Sequence, residues 1–188
     1  MALIEANISM SVDGYVTGPG VDQRPGLGDG GEALHAWIGY EEGRQLTVAS
    51  FAASGAVITS RKVYEDTGGW AAEDGFFRMP VFVVTHQAQK PVSKGETTFT
   101  FVTGGVEVAL AQAAEAAGDK LVHVMGGGSI IQQALRAGLV DQLRLHVAPI
   151  LLGAGTPLFD HLAAPLHLDQ MQTLVTPEAT HLTYRVIR

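Results

Sequence analysis

The sequence predicts an α/β fold with a central, mainly parallel sheet and antiparallel strands at its C-terminal edge. Three observations carry this. Short apolar, β-branched runs recur at Ala56 to Thr59 (AVIT), Val81 to Thr85 (VFVVT), Phe99 to Val102 and Leu121 to Met125, as strands buried on both faces require. Helical spacing separates them, most clearly at Val106, Leu110, Ala113 and Ala117. The chain then closes in strands: Leu143, Leu145 and Val147 alternate with Arg144 and His146, and a further pair spans about Met171 to Val175 and His181 to Ile187.

Element by element, Leu3 to Met10 partly alternates and reads as the first strand. The stretch SVDGYVTGPGVDQRPGLGDGG after it is a long glycine-rich loop, a length that favours a lid or binding loop over a surface excursion. From Glu32 to about Leu46, Leu34, Trp37 and Ile38 share one face of an amphipathic helix, with Glu41, Glu42 and Arg44 mostly off it. After Ala56 to Thr59, Ser60 stands where a helix N-cap would, followed by Glu65 and Asp66. Strand Leu121 to Met125 leads through Gly126, Gly127 and Gly128 into a helix from Ser129 to Ala137, stopped by Gly138. Pro149 ends the strand after it.

With 188 residues, 46% of them hydrophobic and 16% charged, the chain suits a single domain, 1–188, with one core. The sequence shows no apolar run of the roughly 18–20 residues a membrane span needs, and Glu5 stands where a signal peptide would be basic, so a cytoplasmic protein without a membrane partner is expected. The absence of cysteine excludes disulfides and thiolate metal sites. A net charge of −7 without a Lys/Arg cluster argues against a nucleic-acid surface.

Three consecutive glycines lose backbone entropy and bury no side chain. Between a strand and a helix they let a ligand approach the backbone, where free N–H groups and the helix dipole favour an anion such as a diphosphate. The other reading is close packing of strand on helix. The Rossmann fingerprint fails, because Gly126-x-Gly128-x-x-Ile131 lacks the third small residue and the later acid, and no P-loop Gly-Lys-Ser/Thr occurs. The seven histidines form no HExxH, and His161 and His167 are separated by Pro165, so no metal site is expected. Ser129 lacks a G-x-S-x-G context and reads as a helix cap or phosphate ligand.

Taken together, Met10-Ser11-Val12-Asp13-Gly14-Tyr15-Val16, Thr59-Ser60-Arg61-Lys62-Val63-Tyr64-Glu65, the glycine triplet, and Leu139 to Leu143 running into Ala148 to Phe159 (APILLGAGTPLF) resemble one family over nearly the whole chain. It is the dihydrofolate-reductase-like group that contains the reductase domain of the bifunctional riboflavin-biosynthesis deaminase-reductase. The resemblance implies a dihydrofolate-reductase-like three-layer α/β/α fold, NADPH as cofactor, a small-molecule substrate, and a homodimer. It further implies that Thr59, Ser60, Arg61 and Lys62 lie beside the adenosine 2′-phosphate, Thr85 and His86 flank the adenine, and Gly126, Gly127, Gly128, Ser129 and Ile130 hold the diphosphate. The forked donors of an arginine at a helix start suit a phosphate.

On the substrate side the resemblance places Asp13, Gly14 and Val16 near the nicotinamide, with the helix from Glu32 presenting Trp37 opposite. Asp13 and Trp37 are the candidate catalytic residues. By chemistry alone, Asp13 before glycine is also a turn device and Trp37 also a core residue. The chain departs from dihydrofolate reductase in lacking the first-loop leucine-proline-tryptophan and an evident inward acid: Glu41 and Glu42 sit on the polar side, leaving Asp29 and Glu32. A riboflavin-type substrate phosphate would find one basic residue in the first loop, Arg24. The expected function is an NADPH-dependent reductase of a pteridine, folate, ribosylaminopyrimidine-like or other small heterocyclic or carbonyl/imine substrate. The alternative is an NADP(H)-binding sensor or interaction module without catalysis, since fold does not fix function.

Overall fold

Alternation along the strands decides which face of the sheet each residue takes, and it is clearest in the first strand. In the computed structural model, which describes residues 2–23, 25–70, 75–160, 162 and 164–187, strand β1 covers Ile4–Ser11. Then come a 3-10 helix Gly31–Gly39, α1 Glu41–Ala53, β2 Ser54–Ser60 and α2 Arg61–Asp66. Strands β3 Val81–Val84, β4 Val92–Lys94 and β5 Thr97–Val102 precede α3 Gly105–Ala117. The chain continues through β6 Leu121–Gly126, α4 Gly128–Arg136 and β7 Gln142–Ala148. It closes with β8 His167–Thr176 and β9 Ala179–Ile187.

These strands form one sheet in the order β4-β5-β3-β2-β6-β1-β7-β9-β8. The six from β5 to β7 run parallel. Strands β9 and β8 add antiparallel to one edge, as expected, and β4 adds antiparallel to the other. At three residues (VSK), β4 is too short to show a period, which is why the sequence reading passes over it.

Ile4, Ala6, Ile8 and Met10 of β1 join Val122, Val124, Leu143 and Leu145 in an apolar layer. Val106, Ala109, Leu110, Ala113 and Ala117 of α3, with Ile130, Ile131, Ala134 and Leu135 of α4, cover that layer, so the expected stripe of α3 is the buried one. A second apolar cluster, Val57, Val81, Val83, Phe99 and Phe101, packs against Phe51 of α1 and Tyr64 of α2. Helices thus cover both faces, giving the three-layer α/β/α arrangement.

The single helix expected from Glu32 to Leu46 is two. Tyr40 is extended (φ −94°, ψ 157°) between the 3-10 helix and α1, which runs on to Ala53. Packing favours the break: a Cβ on Gly43 would collide with the Trp37 carbonyl, so the two pieces fold closely on each other. The glycine-rich loop is also stitched down. Val16 N–H donates to the Thr156 carbonyl and Leu158 N–H to that of Gly14, and Tyr15 bridges to Pro157.

Ile131, fully buried between α4 and the sheet, offers a direct test of this core. Ile131→Ala is expected to lower the unfolding free energy by about 3 kcal/mol in urea denaturation; a change below about 1 kcal/mol would contradict the packing described.

Candidate functional site

The chain leaves β2 toward one neighbour and one face of the sheet, and leaves adjacent β6 toward the other, so a crevice opens between their C-terminal ends. Ligands of open α/β sheets bind at such a switch point. The glycine triplet lies there, and its members serve different purposes. Gly126 has φ +123°, a conformation that excludes other residues, and its peptide bond to Gly127 is cis. Gly128 is needed for packing: its Cβ would fall 2.9 Å from Val16 Cγ2 and 3.4 Å from Thr156 Cγ2. Gly127 has φ −69°, open to any residue, and its Cβ would meet nothing nearer than Ser60 Oγ at 3.7 Å. Neither its own conformation nor the crowding around it demands a glycine.

Around Gly127 the crevice offers donors. Helix α4 has no side-chain cap, and Gly128 and Ser129 N–H stand in its first turn, where no intrahelical partner exists. Thr59, opposite Gly126 in the β2–β6 ladder, carries a fully buried hydroxyl, the one buried side-chain polar atom among the described residues without a hydrogen-bond partner. Such a vacancy costs about 1–3 kcal/mol. Ser60 caps α2 by accepting from Val63 N–H at 3.2 Å, as its position in the sequence implies.

Arg61 opens α2 with its fork engaged. Nε donates to Glu65 Oε1 at 2.6 Å and Nη1 to Gln89 Oε1 at 2.7 Å, and the guanidinium lies 5.2 Å from the Phe101 ring centroid. Lys62 pairs with Asp66 at 2.7 Å. Exposed i,i+4 pairs are worth about 0.3–0.5 kcal/mol, so a phosphate would compete with them readily. Thr85 is buried and its Oγ1 accepts from Gln87 N–H; His86 is exposed. Ile130 sends its side chain into the core and its N–H to the Gly127 carbonyl, so it keeps no free donor. Val16, buried against Gly128, sits beside the cradle.

On the sheet face under the 3-10 helix and α1, the residues alternating with the apolar layer are Glu5, Asn7, Ser9, His123, Arg144, His146 and His181. Asn7, Ser9, His123, Arg144 and His146 of this set, with Trp37, help to line a cavity of about 120 Å³. Glu5, 1% exposed, lies behind it. Its Oε2 accepts from Arg144 Nε (3.2 Å) and is ion-paired with Nη2 at 3.1 Å, and its Oε1 accepts from Asn7 Nδ2 (3.1 Å). Trp37 Nε1 donates to Ser9 Oγ at 3.0 Å, and the indole stacks on His146 at 4.3 Å. Burial, helped by the charge of Arg144, lowers His123 to about 4. His146 is pushed further down, by burial first and then by His181 and Arg144, and burial lowers His181 as well. Met125, which lines the cavity, directly precedes Gly126, so cavity and crevice adjoin.

The sequence reading therefore locates Trp37 in the cavity wall but looks for the inward acid in the wrong element. Asp29 and Glu32 are exposed, and the buried acid is Glu5, whose signal was its place in the alternation Ile4-Glu5-Ala6-Asn7-Ile8-Ser9. Asp13 is absent from the lining. Its exposed carboxylate accepts from Ser11 Oγ (2.6 Å), Gly153 N–H (2.7 Å) and Leu152 N–H (3.1 Å), tying the loop after β1 to the segment after β7. Those bonds, the Ser11 hydroxyl first, lower its pKa. Arg24 and His161 lie outside the described residues. No three His, Asp or Glu among the described residues are placed to hold a metal ion.

The glycine triplet thus lies at a switch point of the sheet beside a polar cavity. Residues 2–182 match the family model of the RibD C-terminal domain, and the chain belongs to that family. It is 37% identical over 54 residues, 29% of either chain, to the uncharacterized protein YyaP of Bacillus subtilis. Among solved structures it resembles a protein of Shewanella sp. PV-4 assigned to riboflavin biosynthesis (TM-score 0.76, 24% identity, 100% of both chains). It also resembles dihydrofolate reductase from Enterococcus faecalis complexed with NADP(H) (TM-score 0.60, 14% identity, 98% of this chain and 96% of that one). The fold is thus that of reductase domains, mainly parallel with antiparallel C-terminal strands.

The neutral histidines make stability depend on pH. Unfolded histidine binds a proton below about pH 6.5, whereas folded His123 refuses one until about 4 and His146 until lower still. Their stabilisation is complete above pH 6.5 and is lost as pH falls. Between pH 7 and 5 each is expected to withdraw about 2 kcal/mol, read by denaturant melts, and His123→Gln should flatten the slope. A ring of His123 titrating near 6.5 by NMR would contradict this.

Proposed function

We propose that the chain is an NADPH-dependent reductase of a small heterocyclic or carbonyl/imine acceptor. The observation that carries the reading is Gly127: a bare backbone required by neither conformation nor packing, at an uncapped helix start. In this reading Gly128 and Ser129 N–H and the dipole of α4 hold the diphosphate. Arg61, Ser60 and Lys62 receive the 2′-phosphate, Arg61 exchanging Glu65 for it, and Thr85 and His86 border the adenine. The bound nicotinamide supplies hydride. The chain's own part is to stack Trp37 over the cavity wall, hold His123 and His146 neutral, and keep water from a pocket with Phe51 and Met125 in its lining.

A cytoplasmic homodimer fits the reading. Strand β8 is an uncovered edge with Leu168, Met171, Leu174 and Val175 exposed, and edges of this kind are usually paired or guarded. Multi-angle light scattering is expected to give twice the 19.8 kDa of one chain; the mass of one chain would remove the dimer from the reading.

Titration with NADPH and NADH, followed by cofactor fluorescence, tests the function. NADPH is expected to bind more tightly. Gly127→Val is expected to weaken NADPH binding at least tenfold, a loss of about 1.4 kcal/mol, with the melting temperature almost unchanged. Arg61→Ala should erase the preference over NADH. Unchanged NADPH affinity in Gly127→Val would sink the cradle, and binding of neither cofactor would favour a non-reductase use of the fold.

A further inference from the structure

When the carbon of a C=N or C=O bond accepts hydride, the electron pair of that bond passes to nitrogen or oxygen, and that atom must take a proton. A reductase therefore needs an acid at its acceptor site, and most of the cavity lining cannot be one. Arg144 does not release its proton and is held by Glu5. Glu5 itself is closed off behind Asn7 and Arg144 and stays out of the lining. Asn7 turns Nδ2 to Glu5 and Ser50, so its Oδ1 accepts from His146 Nε2 at 2.9 Å, while His146 Nδ1 meets His181 Nδ1 at 2.6 Å. Both nitrogens of His146 are thus engaged within the protein. His123 is 6% exposed, its Nδ1 lies 3.3 Å from Ser50 Oγ, and burial keeps it neutral down to about pH 4. A neutral imidazole is too weak an acid to serve.

His35 differs from both. It stands in the 3-10 helix one turn before Ile38, and the two line the cavity together. It is also exposed, so its ring borders water as well as the cavity. Among the described residues no hydrogen bond or ion pair holds that ring, and burial alone lowers its pKa. The titratable and charged groups across the cavity are His123 on β6 and Arg144 and His146 on β7; α1 brings no charge to the lining, and the exposed Glu32 stands one turn earlier on the same helix. We propose that His35 is the general acid of the cavity, passing a proton from its ring to the nitrogen or oxygen of the acceptor and regaining one from water at the mouth. The inference rests on the proposed function, because it takes the cavity as the acceptor site and NADPH as the source of hydride.

The experiment follows NADPH oxidation against pH with two small acceptors, dihydrobiopterin for C=N and pyridine carbaldehyde for C=O. In the unaltered protein kcat should fall about tenfold per pH unit above the pKa of His35, and carbon-13 NMR should show His35 taking its proton at higher pH than His123. His35→Ala should lower kcat about a hundredfold and flatten the pH profile, with KM and NADPH affinity almost unchanged. Imidazole added to that variant should restore the rate, because the emptied position opens to water. His35→Gln, which fills the position without an acid proton, should be as slow and should not respond to imidazole. If the alanine variant does not fold, the rate and pH profile of the glutamine variant carry the test. A rate or pH profile indifferent to His35, a folded alanine variant that imidazole does not restore, or reduction of neither acceptor overturns the proposal. NADPH titrated alongside separates the two ideas: NADPH binding with turnover that ignores His35 removes only its role, and no NADPH binding removes the reductase reading with it.

Discussion

A carboxylate removed from water must be paired, and the pairing of Glu5 organises a whole face of the sheet. Losing one partner of a buried ion pair typically costs about 3–5 kcal/mol, so Arg144 on β7 is held opposite β1, in register with Asn7. Asn7 must then present its amide nitrogen to Glu5, which dictates what His146 and Ser50 do. Histidines in this layer remain neutral because they are buried and because Arg144 already supplies the positive charge. Trp37 closes over the result.

The opposite face obeys the same alternation with the opposite chemistry. Ile4, Ala6 and Ile8 meet α3 and α4 in an apolar core. The β2–β6 switch point and the adjoining cavity thus rest on a scaffold anchored on one side by packing and on the other by a closed set of hydrogen bonds. Bare backbone at Gly127 is tolerable in that setting because Gly126 and Gly128 are fixed by conformation and contact.

Much of the fold was legible because the signals are local. The stripe of α3 and the runs at Ala56, Val81 and Leu121 announce buried elements, and the resemblance of the glycine triplet and the APILLGAGTPLF stretch to a known family extends to the whole chain. What escaped is tertiary. Two short helices at Gly31–Gly39 and Glu41–Ala53 read as one, since the break at Tyr40 follows from how Trp37 packs on Gly43. Glu5, Asn7 and Ser9 sat in plain alternation, yet their meaning needed His123, Arg144, His146 and His181 from three other strands. Asp13 is read as a candidate catalytic residue from its motif, and only the fold shows that its carboxylate joins the loop after β1 to the segment after β7. Three equivalent-looking glycines separated into roles only when φ and the space around each Cβ were known.

The central claim is that the backbone at Gly127 and the start of α4 serve a diphosphate. A crystal structure of the chain with NADPH tests it most directly. The account predicts diphosphate oxygens within hydrogen-bond distance of Gly128 and Ser129 N–H, and the nicotinamide at the mouth of the cavity bounded by Trp37 and His146. A cofactor bound elsewhere, with Gly127 facing solvent, would contradict it.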